Sequence, residues 1–171
     1  MKKKDLPSSL NTERAVLGCM LSNKENLLIC LDVLEKDDFF FEVNQILFES
    51  IKKTIQSGHP ADLHVVANVL KSDNLLEAIG GIPALAELCQ FSSMSHYVEE
   101  YCCILRDKRI LRNIISKSSH ASDKAYKDPA DCIGLLDEIQ KDFCSIATST
   151  DKSVGMTVGD VIQGKHSEKG I

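Results

Sequence analysis

The longest helical pattern in the chain runs from Ser95 to Thr148, and it constrains the fold more than any other stretch. Apolar residues recur at intervals of three and four through its first half, the spacing of one face of an α-helix. Asp128-Pro129 then predicts a new helix start, because Asp is a good N-cap and proline is tolerated at the first helical position. We therefore predict two long antiparallel helices, a hairpin over residues 94–150.

Residues 9–93 carry shorter apolar patterns that predict a compact globule of several helices. Strict alternation of apolar and polar residues is absent, so no β-sheet is expected. Phe39-Phe40-Phe41 is the densest aromatic cluster, and we expect it in the core. The fold class is therefore all-α: a compact multi-helix globule, a long antiparallel hairpin and a linker. The predicted helices of the globule cover residues 12–21, 24–34, 42–56 and 75–79, with two more that begin after Asp62 and at Pro83.

The two ends of the chain read differently from the middle. Residues 1–8 form a charged arm that we expect to be flexible, and residues 151–171 read as a linker, which suggests a fragment or a protein that lost its partner domain. The net charge of −5 argues against a surface that binds nucleic acid by neutralising its phosphates. No secretory signal or membrane-length apolar run is present, and seven cysteines without a C-x-x-C pair suit a reducing compartment. A cytoplasmic location and no membrane partner are expected.

Candidate catalytic and cofactor-binding residues lack the spacing that the known motifs require. Gly164-Lys165 has a glycine five residues earlier, but His166 stands where a phosphate-binding loop needs Ser or Thr. Cys89, His96 and Cys102 or Cys103 match no usual zinc spacing, so buried thiols and a surface imidazole are the simpler interpretation. We predict no catalytic residue, cofactor or metal in this chain.

A basic cluster on the first arm of the hairpin has two interpretations. Its residues could form ion pairs with Asp137, Glu138 and Asp142 of the second arm, which on an exposed face would contribute under about 1 kcal/mol each. They could instead be a docking stripe for an acidic partner. The cluster consists of Arg106, Lys108, Arg109 and Arg112.

A series of short motifs, taken in order, resembles the N-terminal domain of replicative DNA helicases of the DnaB family. Each motif is weak alone, but their order over residues 6–150 is specific. Asn44 and Phe40 depart from the pattern, since the family commonly has His and Tyr at these places. The motifs are Leu6-Pro7-Ser8-Ser9, the run from Glu13 to Leu21, Asp38-Phe39-Phe40, the run from Ser57 to Leu63, Gly80-Gly81, and Tyr101 with Leu105 and Arg109 to Arg112.

The resemblance implies an oligomerisation and interaction module. In that family the hairpins pair between subunits, the domains form a collar on a hexameric ring, and the collar contacts primase and the helicase loader. ATP, Mg and DNA would be bound by the ATPase domain of a longer parent protein that unwinds DNA at the replication fork, with the linker element falling at residues 157–163. The residues expected in hairpin packing, within or between subunits, are Tyr101, Ile104, Leu105, Leu111, Ile115, Leu136, Ile139 and Phe143.

Two alternatives from other classes remain open. The chain could be a free-standing helical adaptor or regulator with no ATPase partner, and a G-x-x-x-x-G-K-[ST] motif encoded downstream of Ile171 would decide against that. A thiol or metal enzyme is the other alternative, which metal analysis and thiol titration would test.

Overall fold

The computed structural model describes residues 5–127 and 130–151, and this part of the chain is helical without a strand. The all-α prediction is confirmed. The predicted cap Asp128-Pro129, residues 1–4 of the predicted arm and the predicted linker from residue 152 onward lie outside the described residues. The helices are α1 (Leu10–Ser22), α2 (Lys24–Val33), α3 (Glu42–Gln56), α4 (Leu63–Ser72), α5 (Gly81–Leu88), α6 (Val98–Ala125) and α7 (Cys132–Asp151), with 3-10 helices at Lys36–Asp38 and Cys89–Tyr97.

The chain divides into two compact units, of which the first ends at Arg112 and the second begins at Asn113. The sequence places the boundary earlier, between residues 93 and 94. The difference has a physical reason in α6, whose Val98, Cys102 and Leu105 are buried in the core of the first unit. The first half of α6 is therefore part of the globule.

Helix α1 lies at the centre of the first unit, since every residue from Ala15 to Met20 is buried. Gly18 is needed there for close packing. A Cβ built on Gly18 would lie 2.3 Å from the carbonyl oxygen of Leu88 and 3.0 Å from Cβ of Phe91. Any larger residue would push α1 away from the backbone at the end of α5.

The predicted helix ends around α2, α3 and α4 are confirmed by their capping contacts. Asn23 Oδ1 accepts hydrogen bonds from the backbone N–H groups of Glu25 and Asn26 at the start of α2. Asp62 Oδ1 accepts from Val65 N–H at the start of α4. Gly58 follows α3 with a φ of +78°, the left-handed conformation that favours glycine.

Two predictions in the first unit are wrong. Residues 75–79 form turns rather than a helix, after Asn74 adopts a positive φ of 57°. Of the three phenylalanines expected in the core, Phe39 is fully buried, whereas Phe40 is exposed and Phe41 is half-buried. The backbone is extended at Phe39 and Phe41, and successive side chains of an extended segment point to opposite sides.

The second unit contains the end of α6 and all of the described part of α7. Lys117 Nζ lies 2.6 Å from Asp142 Oδ1, and Lys124 pairs with Glu138. The later lysine pairs with the earlier carboxylate, so the two segments run antiparallel, as a hairpin requires. Ile146 is the buried apolar side chain of α7.

Candidate protein-interaction site

The second unit exposes large apolar side chains along both of its helical segments. Between 37% and 88% of the surface of each is accessible. Clustered exposed apolar residues usually mark a surface that binds another molecule. The side chains are Ile114, Ile115, Tyr126, Ile133, Leu136 and Phe143.

The ion pairs show which side of each helix faces the other arm. Ile115 lies nine residues before Lys124, about half a turn around the α6 axis, so it points away from the lysine that pairs with α7. On α7, Ile139, Asp142 and Ile146 are at least half-buried, whereas Leu136 is exposed. The hairpin therefore uses one side for its own packing and leaves Ile115 and Leu136 available.

The predicted packing residues of the first unit divide into core and surface. Leu105 has 1% of its surface exposed and belongs to the core. Tyr101 is half-buried against that core, with its ring centroid 6.4 Å from that of Tyr97. Ile104 and Leu111 are 38% and 46% exposed. Ile104 and Leu111 are seven residues apart, the repeat of a helix that packs against another helix.

The guanidinium group of Arg112 donates hydrogen bonds to backbone carbonyls elsewhere in the first unit. Nη1 donates to the carbonyl oxygen of Pro7 at 3.1 Å, and Nη2 donates to the carbonyls of Asp37 at 2.7 Å and Asp38 at 3.0 Å. Its Cζ also lies 5.6 Å from the ring centroid of Phe40, within cation–π range. Burial lowers the pKa of Arg112, and nearby carboxylates oppose that shift.

Arg109 is directed at a buried carboxylate of the same unit. Its Nε lies 3.2 Å from Asp38 Oδ1, an ion pair without hydrogen-bond geometry. Asp38 Oδ2 accepts from the backbone N–H of Glu35 at 2.7 Å. Burial raises the pKa of Asp38 despite the opposing effects of that hydrogen bond and of the nearby arginines.

Two carboxylates of the second arm, Asp142 and Glu138, pair with lysines outside the basic cluster. Asp142 pairs with Lys117, whose hydrogen bond is the first cause that lowers the pKa of Asp142. Glu138 pairs with Lys124. Arg106 and Lys108, the other members of the basic cluster, are half-buried on α6.

Glu13 has a structural role that the sequence analysis misses. Its carboxylate is 1% exposed and accepts from Phe40 N–H at 2.8 Å, Phe41 N–H at 3.4 Å and Asn44 Nδ2 at 2.8 Å. The network joins α1 to the start of α3 and orients the segment that carries Phe40. The sequence offers one signal for this role: Glu13 lies only two residues before the apolar run that begins at Ala15.

Within the described ranges, no group of three or more His, Cys, Asp and Glu side chains is arranged to hold a metal ion. The same residues contain no helix long and apolar enough to cross a membrane.

The chain is similar to known proteins in both sequence and structure. Residues 5–107 match the model of the DnaB-like helicase N-terminal domain. The chain is 30% identical over 142 residues to the replicative DNA helicase DnaB of Pasteurella multocida, covering 82% of this chain and 30% of that protein. It is 28% identical over 171 residues to the replicative DNA helicase DnaC of Bacillus subtilis, covering 96% of this chain and 38% of that protein.

The structural comparison agrees with the family match. The crystal structure of the N-terminal domain of DnaB helicase from Mycobacterium tuberculosis superimposes with a TM-score of 0.77 at 28% identity, covering 82% of this chain and 99% of that one. The chain thus spans about a third of the length of these curated relatives and nearly the whole of the solved N-terminal domain. The family match covers more than half of the chain, and the protein belongs to the family of DnaB-like helicase N-terminal domains.

Proposed function

We propose that this chain is the oligomerisation and partner-binding part of a longer hexameric replicative DNA helicase. Family membership supports the helicase assignment, and the relatives are about three times as long as the matched segment. The longer parent would bind ATP, Mg and DNA through its ATPase domain and unwind DNA at the replication fork in the cytoplasm. The present chain would hold subunits together and bind partner proteins, and it would not catalyse the reaction.

The proposed contact between subunits is a pairing of hairpins through their exposed apolar side chains. The observation that carries it is the exposure of Leu136 and Phe143 on α7, at 59% and 37%. Ile115 on α6 points away from the intramolecular seam and would join them, with the half-buried Ile139 at the edge. In the first unit, Tyr101, Ile104 and Leu111 stay predictions for packing between subunits, and Leu105 belongs to the core of that unit.

The expected strength of such a contact is modest. A two-fold pair would bury Ile115, Leu136 and Phe143 once from each copy. Full burial of one large apolar side chain is worth about 1.5–3 kcal/mol, and these are already partly covered. Association itself costs about 4–15 kcal/mol in lost freedom. The isolated chain should therefore self-associate weakly, and the ring of the parent protein would supply additional contacts.

Primase and the helicase loader are the proposed external partners. An acidic segment of either could dock at Arg106, Lys108, Arg109 and Arg112. That segment would compete with Asp38 for Arg109 and with three carbonyl oxygens for Arg112. Because Arg109 and Arg112 already have these partners, we expect both arginine side chains to rearrange when an acidic segment binds.

Light scattering across protein concentration tests the hairpin contact. The wild-type mass should rise above the 18.9 kDa of one chain as concentration increases. Leu136→Glu and Phe143→Glu should hold it at one chain, because a charge cannot enter an apolar interface without a partner. Ser145→Glu adds the same charge nine residues from Leu136, about half a turn around α7, and should leave the wild-type behaviour unchanged.

A wild-type mass fixed at one chain throughout the range would contradict the proposal. So would equal behaviour of Leu136→Glu and Ser145→Glu. Repeating the series with the C-terminal region of primase tests the partner separately, since complex formation would add the mass of that region whether or not the hairpins pair.

A further inference from the structure

Two buried cysteines of the first unit are in direct contact. Cys30 lies on α2 and Cys102 on α6, and their Sγ atoms are 3.7 Å apart. Cys30 is 0% exposed and Cys102 is 2% exposed. The residues are 72 positions apart in sequence, so the fold alone brings the two thiols together.

The remaining cysteines are arranged differently. Cys19 is also buried, but its Sγ is directed at the carbonyl oxygen of Phe91, 3.8 Å away. Cys89, at the end of α5, is half-buried. Cys103 is exposed on α6, and Cys132 and Cys144 are exposed on α7. The described structure therefore contains one close thiol pair, and its neighbours in sequence and space provide matched controls.

We propose that Cys30 and Cys102 are a modification site, a pair that a peroxide converts into a disulfide joining α2 to α6. A disulfide requires sulfurs about 2.0 Å apart, so each sulfur must move by less than about 1 Å toward the other. Rotation about the side-chain bonds of two residues already in contact can supply that movement. The proposal is independent of the hairpin contact, since both cysteines belong to the first unit.

The chemistry has two balanced steps. One thiolate attacks a peroxide oxygen, the O–O bond breaks, and the products are a sulfenic acid and, after protonation, water. The second thiol then attacks the sulfenic sulfur, the S–S bond forms, and the hydroxyl leaves as a second water with the proton of that thiol. In total two thiols lose two electrons, and one hydrogen peroxide becomes two waters.

Burial sets the rate of this reaction. The hydrogen-bonding contact with Cys102, followed by burial, raises the pKa of Cys30, so little thiolate is present in the closed core. The peroxide must also reach a site with almost no exposed surface. Oxidation should therefore proceed through local opening of α2 or α6, and the disulfide would lock the two helices together after they close.

Peptide mapping of the oxidised whole chain tests the pair. A chain carrying Cys103→Ser, Cys132→Ser and Cys144→Ser, which removes the exposed thiols, is treated with hydrogen peroxide in increasing sub-denaturing urea. Remaining thiols are then blocked under denaturing conditions. We expect a linked Cys30–Cys102 peptide whose yield rises with urea, and a melting temperature at least several degrees higher than that of the reduced chain, because the crosslink constrains the unfolded state.

The controls use single substitutions within that background. Cys19→Ala should leave the linked peptide in place, and Cys30→Ala should abolish it. Wild-type chain mapped in the same way provides the result without any core substitution. Recovery of Cys30 and Cys102 as blocked, unlinked thiols at every urea concentration would overturn the proposal, and so would a dominant link to Cys19 or Cys89.

Discussion

Asn44 donates a hydrogen bond from Nδ2 to Oε2 of Glu13 at 2.8 Å, between two buried side chains that are 31 residues apart. The bond connects α3 to α1. It also explains how the chain accommodates Asn at a place where the resembled family commonly has His, because either side chain can present an N–H to the carboxylate.

Glu13→Gln should destabilise the first unit by about 2 kcal/mol. The substitution replaces one acceptor oxygen by an NH₂ group that faces N–H donors, and hydrogen bonds to a buried charged group are worth about 1.5–3 kcal/mol. Urea unfolding measures the change. Glu25→Gln, at an exposed position on α2, should alter the unfolding free energy by less than about 0.5 kcal/mol. Equal effects of the two would show that the Glu13 network does not stabilise the fold.

Arg112→Lys should destabilise the first unit by about 1–3 kcal/mol even though the charge is retained. Lysine cannot reproduce the planar fork that donates to three carbonyls and lies over Phe40. Arg14→Lys is the control, since Arg14 makes a surface ion pair with Glu87 and should change stability by under about 1 kcal/mol. Thermal unfolding of both variants provides the measurement, and an Arg112→Lys effect no larger than the control would be the contrary outcome.

Asp38 should make stability depend on pH in the acidic range. Burial raises its folded pKa above the ordinary value of 3.8, so the folded state favours the protonated carboxyl. Its contribution is therefore fully present below 3.8 and is lost as pH rises through the folded pKa.

Comparison with Asp38→Asn isolates that contribution, because the amide does not titrate and still offers an oxygen to Glu35 N–H. The unfolding free energy of wild type minus that of Asp38→Asn should fall from below pH 3.8 toward neutrality. A difference that rises with pH would mean that the Arg109 charge outweighs burial.

Gly18→Ala should lower stability by about 3 kcal/mol or prevent folding of the first unit. The added Cβ would lie 2.3 Å from a backbone oxygen at Leu88 that cannot move without shifting α5. Gly134→Ala is the control: its Cβ would meet the exposed side chain of Asp131, which can turn aside at the loss of one hydrogen bond from Gly134 N–H, a cost of about 1 kcal/mol. Circular dichroism during heating distinguishes the two, and a neutral Gly18→Ala would contradict the packing described for α1.

Local features of the fold follow from sequence because they depend on neighbours in the chain. Asn23 and Asp62 cap their helices through backbone groups two or three residues away, and Gly58 ends α3 through its own φ. Residues 75–79 show the limit, since their apolar spacing suits a helix while the chain makes turns after Asn74.

Partners far apart in sequence could not be predicted from pattern. The basic cluster contains the charges needed for pairing, but Arg109 meets Asp38, which precedes it by 71 residues, instead of the second arm. A charged residue such as Glu13 is expected at the surface, and its burial is understood only from the three N–H donors that contact its carboxylate. Exposure separates Leu105, a core residue, from Leu111 on the same helix, although both fit the apolar spacing.

Amide hydrogen exchange measured at several protein concentrations tests the hairpin contact most directly. Amides of α7 around Leu136 and Phe143 should exchange more slowly at high concentration than after dilution, because pairing covers them. Amides of α4 (Leu63–Ser72), in the first unit, should exchange at the same rate throughout. Concentration-independent exchange along α7, or protection confined to the first unit, would contradict pairing through the hairpin.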